Sequence, residues 1–133
     1  MLPIVGVHHV AIICSDYARS KRFYTHVLGL AVIAEQYREA RQSWKLDLTV
    51  PGGARIELFT MPGAPPRASR PEAIGLRHLA FAVHDLDAAV AHLHKHGVDV
   101  EPIRVDGQTN RRFTFFPDPD GLPLELYEVS EHP

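Results

Sequence analysis

The chain has 133 residues, which is enough for one domain with a substantial core and too few for two independent domains. A hydrophobic fraction of 45% and a net charge of -2 are ordinary for a soluble protein and give no reason to expect a nucleic-acid partner. The single cysteine, Cys14, excludes an internal disulfide, and the apolar start lacks the positive charge of a signal peptide. We therefore expect a cytoplasmic protein that does not bind membranes.

Two modules of the order β-α-β-β-β are predicted, at about residues 5–60 and 75–129, within a single domain over 1–133. In the first, strands are predicted over residues 7–14, 30–37 and 43–50 and around Glu57, with a helix over 16–28 that Asp16 caps and Gly29 ends. A proline-rich linker over 61–74 follows, stiffened toward extended conformations. In the second module, strands are predicted over 76–83, 98–105 and 112–116 and around Glu125, with a helix over 85–96.

The two modules repeat a pattern of polar residues. His9 and His78 each have an alanine two residues later and an aspartate seven residues later. Glu57 follows the first histidine by 48 residues and Glu125 follows the second by 47, and each glutamate stands four residues after a glycine. Strand alternation turns all four of these side chains away from the helix of their own module. This register also selects His9 over His8 as the partner of His78 in the repeat.

Two imidazoles and two carboxylates at equivalent positions predict a divalent metal site formed by His9, Glu57, His78 and Glu125. Any one of the four alone would be interpreted as a core histidine or an exposed acid. Nitrogen and oxygen ligands fit zinc or nickel, and also manganese, cobalt or iron, better than calcium. Octahedral geometry would leave two positions for substrate oxygens. A ligand glutamate that loosens can then act as a general base, so Glu57 and Glu125 are the candidate catalytic residues.

This repeat resembles the vicinal-oxygen-chelate superfamily, most closely its glyoxalase I branch. The resemblance covers nearly the whole chain and includes the Asp118-Pro-Asp-Gly121 turn ahead of Glu125. It implies an α+β fold in which paired βαβββ modules form curled sheets around a metal cleft. It also implies isomerisation of a glutathione hemithioacetal and favours a homodimer, in which His9 and Glu57 face His78 and Glu125 of the partner chain.

Two positions differ from the glyoxalase I pattern. Ile13 stands where that branch carries an arginine for the glutathione carboxylate, and Met61 stands where it carries an asparagine. The sequence therefore predicts a small anionic oxygenated substrate without predicting glutathione. The candidate substrate-binding residues, which an ordinary solvated edge would also explain, are Arg38, Arg41, Trp44, Arg104 and Arg112.

Two other functions remain open from the sequence. A non-haem Fe(II) dioxygenase uses two histidines and one carboxylate, so the fourth ligand, Glu57, disfavours that chemistry. A resistance or binding module for an antibiotic is the other alternative, although drug-sequestering relatives usually lack the metal ligands that this chain has. The remaining histidines, His92, His94 and His96 among them, are predicted to lie at the surface.

Overall fold

The computed structural model describes residues 1–131 and divides into two compact units, Met1–Pro65 and Pro66–Pro133. The division falls inside the proline-rich segment that was predicted as a linker. Each unit contains one four-stranded sheet. The predicted α+β fold of two tandem βαβββ modules is confirmed.

The first unit contains four strands and one α-helix that continues into a π-helical turn. Their bounds are β1 His9–Cys14, α1 Tyr17–Arg22, the π-helical turn Phe23–Val27, β2 Ala31–Arg38, β3 Ser43–Thr49 and β4 Arg55–Thr60. The strand order is β1-β4-β3-β2, in which β1 is parallel to β4 and the other pairs are antiparallel. The sheet is therefore mixed, and the two strands that carry the repeated histidine and glutamate are direct neighbours in it.

Strand alternation separates a packing face from an open face in this sheet. Ile56 and Leu58 of β4 are buried, at 1% and 0% exposure, and Leu46 and Leu48 of β3 are fully buried. On the other face of β1, Ile13 is 52% exposed. The buried residues Ile56 and Leu58 are thus the ones that alternate with Glu57, as the sequence predicted.

The predicted helix over 16–28 is regular only as far as Arg22. The Asp16 carboxylate accepts a hydrogen bond from the Arg19 amide at 3.1 Å, which caps the first turn. Beyond Arg22 the helix widens into a π-helical turn, in which the Leu28 amide donates to the Phe23 carbonyl, five residues earlier, at 3.0 Å. Gly29, with φ of 77°, takes the left-handed conformation that ends the segment.

The second unit repeats this order with β5 Leu79–Val83, α2 Leu86–Lys95, β6 Arg104–Val105, β7 Arg112–Pro117 and β8 Pro123–Glu128. Its strand order is β5-β8-β7-β6, with β5 parallel to β8. Asp85 caps α2 through the Ala88 amide at 2.9 Å. At the other end, the amides of Gly97 and Val98 donate to the carbonyls of His94 and Leu93, a Schellman arrangement.

The strand predicted over residues 98–105 was wrong in its length. Only Arg104–Val105 pairs with β7 as a ladder, whereas residues 98–103 are irregular. Pro102 explains this break, because proline has no amide hydrogen to donate to a neighbouring strand. The Glu101 amide still reaches the Phe115 carbonyl at 2.9 Å, so the segment stays beside the sheet without joining it.

Within residues 1–131, no helix is long and apolar enough to cross a membrane. Cys14, the single cysteine of the sequence, is buried. The predicted surface histidines of α2 and its cap, His92, His94 and His96, are exposed.

Candidate metal centre

In the first unit, the parallel strand pair places a histidine against a glutamate. The parallel register aligns Ala11 with Glu57. His9 stands two residues before Ala11, so its side chain lies on the same face of the sheet as Glu57. The distance from His9 Nε2 to Glu57 Oε1 is 3.7 Å. The imidazole is 41% exposed and the carboxylate 16% exposed. A partly open pair of this kind is accessible to an ion or a substrate from outside the unit.

The second unit forms the equivalent pair at closer range. His78 directly precedes β5, and its Nε2 lies 3.2 Å from Glu125 Oε1 on β8. Ala80 aligns with Glu125 across the parallel pair, as Ala11 aligns with Glu57 in the first unit. The ring of Phe115 contacts His78 edge-on with ring centres 5.0 Å apart. The repeat seen in the sequence therefore brings together the same two side chains in both units.

The donor atoms in these pairs fit a divalent transition metal. Ligand atoms about 2.1 Å from one ion, at tetrahedral or octahedral angles, lie about 3.0–3.4 Å from each other. The separation of 3.2 Å between His78 and Glu125 falls in that range, and 3.7 Å between His9 and Glu57 is slightly wider. Within residues 1–131, however, no three His, Cys, Asp or Glu side chains gather as a metal-binding group. Each unit thus brings two candidate ligands together.

Charged side chains surround the first pair. Asp47 of β3 stands opposite Glu57 in the antiparallel register. The ammonium of Lys45 lies 3.1 Å from Asp47 Oδ1 and 4.0 Å from Glu57 Oε2, so it offsets the repulsion between the two carboxylates. Asp47 was not among the residues predicted for the site. Its alternation with Leu46 and Leu48 was the signal that could have placed it there.

Aromatic side chains surround the second pair. Phe115, at the position equivalent to Asp47, stands opposite Glu125, and Phe113 stands opposite Tyr127. The rings of Phe113 and Tyr127 stack with centres 6.3 Å apart. The guanidinium of Arg104 lies over Phe113 and Phe115, 5.0 and 5.6 Å from their ring centres. The second pair therefore lies beside an aromatic floor, formed by Phe113, Phe115 and Tyr127, with the guanidinium of Arg104 above it.

A hydrogen-bond network holds Tyr127 at the edge of this floor. Its hydroxyl donates to Asp106 Oδ2 at 3.0 Å and also contacts the hydroxyl of Thr109. Hydrogen bonds from the Gln108 amide and from Tyr127 hold the pKa of Asp106 below its usual value. The carboxylate of Asp106 is thus kept ionised and orients the phenol ring.

A cavity of about 1060 Å³ adjoins the second pair. His78, Phe115 and Arg104 form part of its wall. Its lining contains four arginines and four carboxylates, so the cavity has no general positive field. Among the lining arginines, Arg104 lies over the ring of Phe115, which packs against His78, and it also pairs with Glu101 at 3.5 Å.

Comparison with known proteins places this fold and this repeat in a family. The model of the glyoxalase/bleomycin resistance protein/dioxygenase superfamily matches residues 6–126. The chain belongs to this superfamily.

Among similar proteins, the uncharacterized protein YaeR of Escherichia coli (strain K12) is 63% identical, over 96% of this chain and 99% of YaeR. A 2-epi-5-epi-valiolone epimerase of Actinomyces is 32% identical, over 94% of this chain and 80% of the epimerase. A glyoxalase family protein from Enterococcus faecalis, solved as a crystal structure, has a TM-score of 0.88 at 46% identity and covers 96% of this chain and 100% of its own. The superfamily thus includes enzymes, and one of them is an epimerase.

Two of the arginines predicted to bind substrate lie on the same sheet faces as the superfamily repeat. Arg104 lies above the aromatic floor of the second unit. Arg38 ends β2 with its guanidinium 5.0 Å from the ring centre of Phe59, the residue that follows Glu57 on the same face. A third, Arg41, is exposed at the end of a short 3-10 turn, Glu39–Arg41.

The other two predicted substrate residues lie on the helix side of their sheets. Trp44 stacks on Tyr17 of α1 with ring centres 4.7 Å apart and rings nearly parallel. Arg112 donates to Asp87 at 2.9 Å and to Glu128 at 2.9 Å. Both side chains alternate with the residues of the open face, so their contacts are with the helix of their own unit.

The Arg112 contact leads to a prediction about stability. Glu128 also accepts the Leu86 amide at 3.0 Å, and these bonds, that from Arg112 foremost, lower the pKa of Glu128. A lowered pKa in the folded state means that the stabilisation exists above the ordinary carboxyl pKa and disappears as the pH falls through the folded value. Replacing Glu128 by glutamine should lower Tm at pH 7 by roughly 4 °C, which corresponds to about 1 kcal/mol.

Calorimetry of both proteins from pH 7 down to pH 3 would test this pH dependence. The difference in Tm between the natural chain and Glu128→Gln should shrink as the pH falls. A difference that stays constant over this range would show that the charge of Glu128 does not contribute.

Proposed function

We propose that the protein is a metal-dependent lyase or isomerase of the glyoxalase type, which moves a proton between adjacent carbons of a small anionic oxygenated substrate. The observation that carries this proposal is the His–Glu pair of each unit, with nitrogen and oxygen 3.7 and 3.2 Å apart at equivalent positions of the repeat. The carboxylates of Glu57 and Glu125 are largely buried, and a shared metal cation would offset their charge.

His9, Glu57, His78 and Glu125 would hold the metal. When bound, the ion would supply Lewis-acid stabilisation of the negative charge that develops on substrate oxygens as a proton leaves the adjacent carbon. Zinc and nickel fit this ligand set best, and manganese, cobalt and iron remain compatible.

The two glutamates would carry the proton. Glu57 and Glu125 are only 16% and 13% exposed, so each carboxylate has little contact with bulk water. A carboxylate that removes a proton from one carbon and returns it to the next performs both the base and the acid step of an isomerisation. Glu57 has the longer contact to its histidine and the ammonium of Lys45 beside it, so Glu57 would be the glutamate more free to act as the base.

Arginines near the two His–Glu pairs would bind the substrate. Arg104 and Arg38 would bind its carboxylate or phosphate, because guanidinium groups suit the geometry of those anions. Arg41 remains a candidate for the same role. Trp44 and Arg112 contact their own helices, so we assign them no substrate role.

We further propose that the site forms in a homodimer. His9 and Glu57 of one chain would meet His78 and Glu125 of the second copy, giving two sites related by a twofold axis. The stiff proline-rich segment and the resemblance to glyoxalase I support this arrangement. The similarity to an epimerase supports proton transfer at carbon, because epimerisation also requires removal and return of a proton.

The test begins with protein purified through a tag that does not bind metal. Elemental analysis is expected to find about one zinc or nickel ion per chain, because a symmetric dimer has two sites. Metal-free protein, reloaded with each candidate metal, is then mixed in D₂O with a hemithioacetal and with a set of hydroxyketo acids and their phosphates. NMR should detect metal-dependent exchange of the proton next to the carbonyl.

Two results would contradict the proposal. Bound iron together with oxygen consumption on catechols would indicate a dioxygenase. A protein that takes up none of the five metals would exclude any metal-dependent mechanism.

A further inference from the structure

His8 contacts the ring of His9 on the side that does not face Glu57. His8 Nδ1 and His9 Nδ1 lie 2.9 Å apart, and the two rings are nearly perpendicular, at 84°. The other nitrogen of His9, Nε2, is the atom that faces Glu57. We propose that His8 is a positioning residue that fixes the orientation and the tautomer of His9 for metal binding, an inference that rests on the proposed metal site.

The contact between the two rings fixes where each ring carries its proton. A neutral histidine that offers Nε2 to a metal carries its proton on Nδ1. Since the two Nδ1 atoms are within hydrogen-bond distance, that proton is donated to His8 Nδ1. His8 must then hold its own proton on Nε2. One hydrogen bond thus selects one tautomer in both rings.

Metal-binding histidines in proteins usually donate their second nitrogen to a carboxylate, a carbonyl or water, and loss of that partner weakens metal binding. An adjacent histidine is an unusual partner for this purpose. The sequence repeat does not predict it, because Arg77 stands before His78 and its guanidinium binds Glu72 at 3.1 Å. In the second unit, the edge-on contact with Phe115 restrains His78 instead.

Substitution of His8 should leave the fold intact. Its side chain is exposed, and its contribution to the sheet is made by the backbone carbonyl, which accepts the Arg55 amide at 3.1 Å. Any side chain preserves that bond. An effect of substitution on metal binding would therefore reflect the imidazole of His8 and not a general loss of structure.

The experiment measures the affinity of metal-free protein for Zn²⁺ by competition with a chromophoric chelator. His9→Ala first identifies the tight phase that belongs to this site, since the exposed pair His92 and His96, with ring centres 4.6 Å apart, can bind metal weakly. His8→Leu should weaken the tight phase at least about 10-fold. His8→Asn, whose side-chain oxygen can accept the same hydrogen bond, should stay within about 3-fold of the natural chain.

His94→Leu, which removes an exposed histidine from α2, is the matched control and should leave the tight phase unchanged. Equal affinities for His8→Leu and His94→Leu would overturn the proposal while leaving the metal site intact. Equal loss in His8→Leu and His8→Asn would refute the acceptor role. A natural chain that lacks any phase sensitive to His9→Ala would overturn both this inference and the proposed function. Thermal melting of every variant checks the fold.

Discussion

Replacing Glu125 by glutamine should lower kcat/KM for proton transfer by about 10³-fold, the middle of the range for loss of a general base. Glutamine has nearly the same shape, and its oxygen can still lie beside His78 Nε2, which is 3.2 Å away in the natural protein. It cannot take up a proton at neutral pH, however, and it is a weaker metal ligand. The rate of deuterium exchange at the carbon next to the substrate carbonyl measures the effect directly.

Glu128→Gln provides the control for this experiment, because Glu128 lies on the same strand but binds Arg112 on the helix side. At 25 °C it should keep the activity of the natural chain. Comparable activity in Glu125→Gln and Glu128→Gln would eliminate Glu125 as a catalytic residue. Glu57→Gln tests the other half of the site in the same way, and full activity in that variant would exclude Glu57 as both ligand and base.

Two inactive variants should restore each other's activity if the site forms across a dimer. One chain carries His9→Ala and Glu57→Gln, and the other carries His78→Ala and Glu125→Gln. Each forms an inactive homodimer, because every site in it lacks one ligand pair. A heterodimer of the two contains one site with no natural pair and one site with both natural pairs. It should therefore have about half the activity of the natural dimer, since one of two sites is complete.

The heterodimer is obtained by coexpression with two different peptide tags that do not bind metal, and is purified through both. The control is a heterodimer of one natural chain with the His9→Ala, Glu57→Gln chain, which retains about half the activity whether the site lies within a chain or between chains. An inactive complementing heterodimer beside an active control would show that the two ligand pairs meet within one chain.

The repeat in the sequence was sufficient to predict the fold and to place the two histidines and the two glutamates on the open faces of their sheets. Strand alternation has a period of two, so the burial of Ile56 and Leu58 requires Glu57 to point the other way. The same reasoning distinguished His9 from His8. These predictions succeeded because they depend on local geometry that repeats in both modules.

Other features depend on contacts that alternation does not determine. The ammonium of Lys45 beside Glu57 and the Nδ1 contact between His8 and His9 depend on side-chain rotamers. The short β6 depends on one missing amide at Pro102. For Trp44, alternation with Lys45 and Asp47 indicates the helix side of the sheet, where its ring stacks on Tyr17.

The π-helical turn at Phe23–Val27 accounts for a difference in length between the two modules. Gly29, which ends the first helical segment, follows the capping Asp16 by 13 residues, whereas Gly97 follows Asp85 by 12. A π turn accommodates one additional residue in a helix without displacing the next strand. The additional residue is therefore accommodated within the helix, before the chain enters β2. The strand pairing that aligns Ala11 with Glu57 then does not change when the helix differs in length by one residue.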